Sequence, residues 1–337
     1  MKKKLLTLLF LIPLIGVAQQ NLTFSHNSLV REYILYKPVD LPKNAPLVFV
    51  FHGYGGDGQT IMNYSNMNTI ADQNGFAVCY PEGTLAWGDQ FFDVGYDFIN
   101  WSVDDVGFSV ALANYLQTTH QLDPSRTFST GLSNGGDISY MLACQASTTF
   151  SAIAPVAGMI LETIYSNCNA TVPIPVFEIH GTEDDVTFYD GDMTNSDGWG
   201  AYLSIPATID YFKTENNLTD LFVDTLPDID PNDGSIVERN IYSSPNTTNE
   251  VWLYKVIGGG HDWPGSWGNM DVDISQEIWN FFSQMSGTTT EINEVNNTNK
   301  TLLKITDVLG REINQITNTP LFYIYEDGSV EKKIILK

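Results

Sequence analysis

The stretch RTFSTGLSNGGDISYMLAC, residues 126–144, decides how the chain reads. A β-favouring run ends in the turn Gly131-Leu132-Ser133-Asn134-Gly135-Gly136, and a helical pattern begins at once. A serine at such a junction has two ordinary uses. It can cap the helix, accepting from a free backbone N–H. It can also be a nucleophile, lifted above a sheet edge by a turn that only small flanking residues allow. The spacing Gly131-X-Ser133-X-Gly135 between a strand and a helix favours the nucleophile. The helix start adds free N–H groups and a positive dipole end at the same spot.

Working outward, the runs PLVFVFH (46–52), GFAVCYP (75–81), SAIAPVAG (151–158), IPVFEIHG (174–181) and EVWLYKVIG (250–258) are short and apolar on both faces. Strands of a covered, mostly parallel sheet read this way. Helix candidates lie between them at 59–73, 105–118, 134–145, 207–214 and 274–286, so the order predicts a doubly wound α/β architecture. Such sheets carry their sites at the carboxyl ends of the strands. Before this core, NLTFSHNSLVREYILYKP alternates around Asn27-Ser28 and predicts an antiparallel hairpin. The Asp-, Asn- and Pro-rich region 190–249 reads as an insertion over the sheet.

The ends read differently. MKKKLLTLLFLIPLIGVAQQ has a lysine patch, a short apolar run and a small-residue end at Ala18, which predicts a secretory signal over 1–18. Residues 19–286 form the expected catalytic domain. GTTTEINEVNNTNK is polar and aperiodic, a linker over 287–300. Residues 301–337 read as a small β module with turns at Leu309-Gly310 and Asp327-Gly328.

With 40 acidic and 16 basic residues the formal charge is −24. Such a surface repels nucleic acid and anionic lipid. No later segment is apolar for long enough to span a bilayer. Of three cysteines, Cys79 sits inside an apolar strand, which leaves Cys144 and Cys168 as the pair an exported chain would bridge, with unbridged thiols as the alternative.

A serine nucleophile needs a base, and the base needs a group that fixes its tautomer. There are five histidines. His26 and His120 read as surface residues. His52 opens the glycine-rich loop HGYGGDG, which suits an oxyanion hole built from the N–H groups of Tyr54 and Asn134. His180 precedes the carboxylate cluster Glu183-Asp184-Asp185, and spacing alone does not choose among the three. His261, in VIGGGHDWPG past the last strand, is the expected base. Trp263 beside it is a candidate substrate contact, with packing of the loop as the alternative. Asp104-Asp105 reads as a helix start, and no metal or cofactor is expected.

HGYGGDG, DDVGF (104–108), the 126–144 stretch, APVAG (154–158), IHGTEDDVTFY (179–189) and GGGHDWPG (258–265) together resemble secreted esterases of the polyhydroxybutyrate depolymerase-like and feruloyl esterase-like family. The resemblance covers roughly residues 25–285. It implies an α/β-hydrolase fold, an ester substrate that can be polymeric, and a triad of Ser133, Asp184 and His261. The family pattern His-Gly-Thr-X-Asp is what places the acid at Asp184. Two departures stand out: Tyr54 where many relatives carry cysteine, and Asp185 where proline is usual. The C-terminal module resembles a sorting domain of the type IX secretion system, which implies that machinery as a partner and a secreted or cell-surface location. Alternatives are a carbohydrate-binding appendage for that module and, for the whole chain, a serine peptidase or a non-catalytic binding protein on the same fold.

Overall fold

A computed structural model describes residues 18–285 apart from Trp87 and Trp101, and then residues 302–306, 311, 320–325 and 330–334. The signal segment up to residue 17, the linker 287–300 and the two C-terminal turns lie outside the described residues. Two compact units emerge, Met1–Thr288 and Thr289–Lys337.

The first unit begins with a hairpin, β1 (Gln19–His26) and β2 (Leu29–Tyr36). Its turn residues Asn27 and Ser28 have φ of 48° and 66°. Two consecutive left-handed residues match the right-handed twist of the flanking strands. Next come β3 (Leu47–Phe51), α1 (Gly58–Ser65), α2 (Met67–Asn74) and β4 (Ala77–Pro81), then a short hairpin β5 (Thr84–Ala86) and β6 (Asp89–Phe91). The helix expected over 59–73 is two helices. Asn66 adopts φ 49°, closes the first through its N–H to Met62 O, and starts the second. Asparagine tolerates this left-handed conformation better than most residues.

After α3 (Asp105–His120) come β7 (Thr127–Leu132), α4 (Asn134–Gln145), β8 (Ala152–Val156), α5 (Glu162–Ser166) and β9 (Val176–Gly181). The unit closes with α6 (Ile205–Glu215), β10 (Asp220–Thr225), β11 (Ile236–Ser243), β12 (Val251–Ile257) and α7 (Ile274–Gln284). The sheet runs β1-β2-β4-β3-β7-β8-β9-β12-β11-β10. From β4 to β12 it is parallel, with antiparallel pairs on each flank. This is the α/β-hydrolase architecture. The region 190–249 departs from the expected insertion over the sheet: β10 and β11 instead extend the sheet edge. Asp220, Asp224, Glu238 and Arg239 interrupt their apolar pattern, and Leu221, Phe222 and Val223 are exposed on the edge strand.

Alternation along β3 shows how the layers form. Leu47, Phe49 and Phe51 pack with Phe108 and Leu112 of α3, Ile138 and Leu142 of α4 and Phe212 of α6. Val48 and Val50 face the other way, among Ile61 of α1, Ile70 of α2 and Ile278 and Phe282 of α7. Successive strand residues point to opposite faces, so a strand covered by helices on both sides must be apolar throughout. A disulfide joins Cys144 in α4 to Cys168, and Cys79 is free and buried.

In the second unit β13 (Leu302–Thr306), β14 (Pro320–Tyr325) and β15 (Val330–Ile334) form an antiparallel sheet. Among the described residues no helix is long and apolar enough to cross a membrane.

Candidate active site

Ser133 stands between β7 and α4 with φ 56° and ψ −120°. A turn of type II′ requires this conformation of its first central residue and normally recruits glycine for it. A residue with a Cβ pays about 1–3 kcal/mol there. The surroundings hold it: Ser133 N–H donates to Val156 O at 2.9 Å, and Ser133 O accepts from the N–H groups of Gly136 and Asp137. The Ser133 side chain makes no cap hydrogen bond, so capping does not account for a serine at this position. Both flanking glycines are sterically required. A Cβ on Gly131 would lie 2.5 Å from Phe51 O, and one on Gly135 would lie 2.2 Å from the same atom. Gly136 lets α4 sit against Gly158, where a Cβ would come within 2.9 Å of the facing Cα.

Asp184 and His261 follow β9 and β12, at the same carboxyl edge of the sheet. Their loops are fastened together by Gly258 N–H to Thr182 Oγ1 and Glu183 N–H to Gly259 O, each 2.9 Å. Gly181 permits this approach, since a Cβ there would lie 2.2 Å from Gly259 O. His261 Nδ1–H donates to Asp184 Oδ2 at 2.7 Å, leaving Nε2 to take a proton. Asp184 Oδ1 accepts from the N–H groups of Val186 and Thr187 at 2.9 and 2.8 Å. Burial works against the Asp184 charge, but the His261 hydrogen bond and the other donors outweigh it and hold its pKa below the usual carboxylate value. Glu183 and Asp185 are exposed, so of the three neighbouring carboxylates only Asp184 is buried against His261. Thr187 Oγ1 reaches Ala157 O, one residue past the carbonyl that holds Ser133 N–H, so the three loops form one connected edge.

The HGYGG loop lies beside the serine. A Cβ on Gly53 would stand 3.4 Å from Ser133 Cβ. His52 braces the loop: its Nδ1–H donates to Gly53 O at 2.7 Å and its Nε2 accepts from Gly83 N–H at 2.9 Å. Burial pushes its pKa down to about 4, so the ring is neutral. Tyr54 stacks on Phe91 with centroids 5.1 Å apart. Asn134 is clamped from the other side, accepting from Phe92 N–H and donating to Phe92 O and Tyr96 Oη.

Trp263 corrects the sequence reading. It is 1% exposed, lies in the core with Ile274 and Ile278, and donates from its indole to Ser275 Oγ at 3.0 Å. A wholly buried ring has no face for a substrate. His26 ends the flanking strand β1 and pairs with Asp104 at the surface, and His120 ends α3 near Lys37 Nζ. Asp104 caps α3 through Gly107 N–H, and among the described residues no cluster of His, Cys, Asp or Glu could hold a metal ion.

Two features escape a sequence reading. One is an aromatic platform: Phe98 and Trp199 meet Tyr54 with centroids 6.0 and 5.7 Å away, and each other at 5.6 Å. Phe98 is 46% exposed. Trp199 lies in a 190–200 loop whose composition signals only a turn. The other is a buried polar group behind the edge, comprising Asp137, Tyr140, Glu178 and His180. Burial pushes Asp137 up to about 7 and works against the Glu178 charge, which the His180 hydrogen bond and charge favour. A glutamate inside the apolar strand VFEIHG is the one signal the sequence offered.

A family model described as Esterase PHB depolymerase matches residues 31–215. The putative esterase NocK of Nocardia uniformis subsp. tsuyamanensis is 29% identical over 233 residues, which are 67% of either chain. The bifunctional acetylxylan esterase/xylanase XynS20E of Neocallimastix patriciarum is 26% identical over 261 residues, 75% of this chain and 33% of its own. This chain therefore spans about two thirds of the first relative and a third of the second. An acetyl xylan esterase from Aspergillus awamori shares the fold, with a TM-score of 0.57 at 16% identity over 80% of this chain and all of that one.

Proposed function

Because the chain belongs to the Esterase PHB depolymerase family and is a carboxylic ester hydrolase, we propose that it works through an acyl-enzyme formed on Ser133. His261 Nε2 takes the Ser133 proton as Oγ attacks the ester carbonyl, and returns it to the departing alkoxide. Asp184 orients the ring and stabilises the imidazolium. The backbone N–H groups of Tyr54 and Asn134 bind the tetrahedral oxyanion, at the start of α4 where the helix dipole adds to them. Water activated by the same histidine then frees the acid. The observation that carries this reading is Ser133 itself, held in a glycine-type conformation with its hydroxyl unused as a cap.

For the substrate we favour acetyl or hydroxycinnamoyl esters on plant polysaccharide over polyhydroxyalkanoate. Tyr54, Phe98 and Trp199 supply flat apolar faces beside the proposed oxyanion loop, suited to a cinnamoyl ring or the face of a pyranose. Kinetics of Phe98→Ala and Trp199→Ala on methyl ferulate, acetylated xylan, 4-nitrophenyl acetate and hydroxybutyrate oligomers test this. KM for the ferulate or xylan ester should rise about tenfold while 4-nitrophenyl acetate changes little, a differential of about 1.4 kcal/mol. Equal effects on all four esters would remove the platform from the account.

We also read the chain as exported, by a signal over residues 1–18 and by a type IX sorting module at 301–337. The Cys144–Cys168 bridge supports an oxidising destination. Secretion that persists in a chain cut before residue 287 would argue against the sorting role.

A further inference from the structure

The buried group behind Asp184 has no part in the reaction as described, yet it meets that acid directly. His180 Nε2 lies 2.7 Å from Thr187 O and 3.4 Å from Asp184 Oδ2, while its Nδ1 lies 2.9 Å from Glu178 Oε1. A carbonyl can only accept, so Nε2 carries a hydrogen. Glu178 Oε2 is already taken by the Tyr140 hydroxyl at 2.5 Å. One proton must therefore lie between Nδ1 and Oε1, and the side chains of both residues are wholly inaccessible to water. We propose that Glu178 and His180 form a buried ion pair that positions Asp184 and sets the acid limit of turnover, with the positive end of the pair turned toward the acid.

This inference rests on the roles given above to Asp184 and His261. The charged and titratable surroundings of His180 are few. They are Glu178 on its own strand, Asp184 and Tyr189 on the following loop, Asp137 and Tyr140 on α4, and Lys255, its register partner on β12. Asp137 is held by Tyr96 Oη and Met159 N–H, and Lys255 Nζ stands 5.7 Å over the Tyr189 ring. Glu178 and Asp184 are thus the two carboxylates within reach of the imidazole nitrogens. Burial opposes the His180 charge, but the hydrogen bond and charge of Glu178, joined by the charge of Asp184, raise its pKa above the ordinary histidine value.

The sign of the effect follows from Coulomb's law. An imidazolium beside Asp184 favours the ionised acid and disfavours a second positive charge on His261. Without it, His261 keeps its proton to higher pH. Since the base must be neutral to accept from Ser133, the acid limb of kcat/KM moves up.

Glu178→Gln separates charge from shape. Glutamine can still accept from Tyr140 and donate to Nδ1, so His180 keeps its Nε2–H and loses only its charge. In the full-length chain, Glu178→Gln and His180→Gln should each raise the midpoint of the kcat/KM acid limb by about one pH unit, with KM at pH 8 within about twofold of wild type. A merely structural role would leave the limb of a folded Glu178→Gln protein in place, and that result would overturn the proposal. Should these variants fail to fold, ¹⁵N chemical shifts of the His180 ring in the wild-type chain decide instead. Both nitrogens protonated at pH 7 supports the ion pair, and one bare nitrogen refutes it. Asp184→Asn separates the two levels of the argument. Full activity in that variant would overturn the underlying reading and this inference with it, whereas an inactive Asp184→Asn with an unmoved limb in Glu178→Gln would overturn this inference alone.

Discussion

Removing the Cys144–Cys168 bridge should cost the catalytic unit much stability and little activity. The bonded cysteines are 24 residues apart in sequence. Closing a loop of that size in the unfolded chain removes about 11.6 cal/mol/K, or about 3.4 kcal/mol at 25 °C. In a domain of this size that corresponds to a fall in Tm of about 7–14 °C. Activity should survive because Cys144 lies ten residues along α4 from Asn134, about 15 Å from the elbow. The variant is Cys144→Ser/Cys168→Ser, which leaves no stray thiol except the buried Cys79. Urea unfolding followed by tryptophan fluorescence gives the stability, and hydrolysis of 4-nitrophenyl acetate at 25 °C gives the activity. A cost below about 1 kcal/mol would refute the entropic reasoning, because the strands and helices around the bridge would then already constrain the unfolded chain. Lost turnover in a folded double variant would refute the separation between bridge and elbow.

Two further expectations follow from the site. Asp184→Asn should lower kcat by about 10⁴-fold on any ester the enzyme turns over, while Glu183→Gln and Asp185→Asn stay within about threefold, because only Asp184 Oδ2 meets His261. His52 should make folding pH-dependent. Its folded pKa of about 4 lies below the unfolded value of 6.5, so the unfolded chain binds more protons between those values and stability falls as pH drops through that window, by about 3 kcal/mol in all. Asp137, raised to about 7, acts in the opposite sense, losing stability as pH rises toward 7. Urea unfolding of wild type and His52→Gln at pH 7 and pH 5 isolates the histidine: the gap between the two proteins should shrink at pH 5, and a constant gap would contradict the buried neutral ring.

The parallel core was legible because its strands are covered on both faces and so lack polar interruptions, as in LVFVF and AIAPV. The elbow was legible because steric limits at Gly131 and Gly135 leave a mark in composition. The flank formed by β10 and β11 was not, since an edge strand such as DLFVDT tolerates charge and exposure and follows neither strand pattern cleanly. Trp263 shows a different limit. Its place next to His261 in the chain says nothing about which way an indole turns, and here it turns into the core. The aromatic platform was hidden for a related reason: Tyr54, Phe98 and Trp199 come from three loops and meet only after the sheet has set their spacing. The Glu178–His180 pair sits within one strand, but its meaning depends on Thr187 and Asp184 folding back over it.

Ser133 as the acylated nucleophile is the central claim, and covalent labelling tests it most directly. The purified full-length chain is treated with a fluorophosphonate, residual ester hydrolysis is followed, and the labelled protein is mapped by peptide mass spectrometry. The account predicts one label per chain, located on Ser133, with activity falling in step with labelling and no label taken up by Ser133→Ala. A label on any other residue in step with inactivation, or a Ser133→Ala protein that hydrolyses esters within about tenfold of wild type, would contradict it.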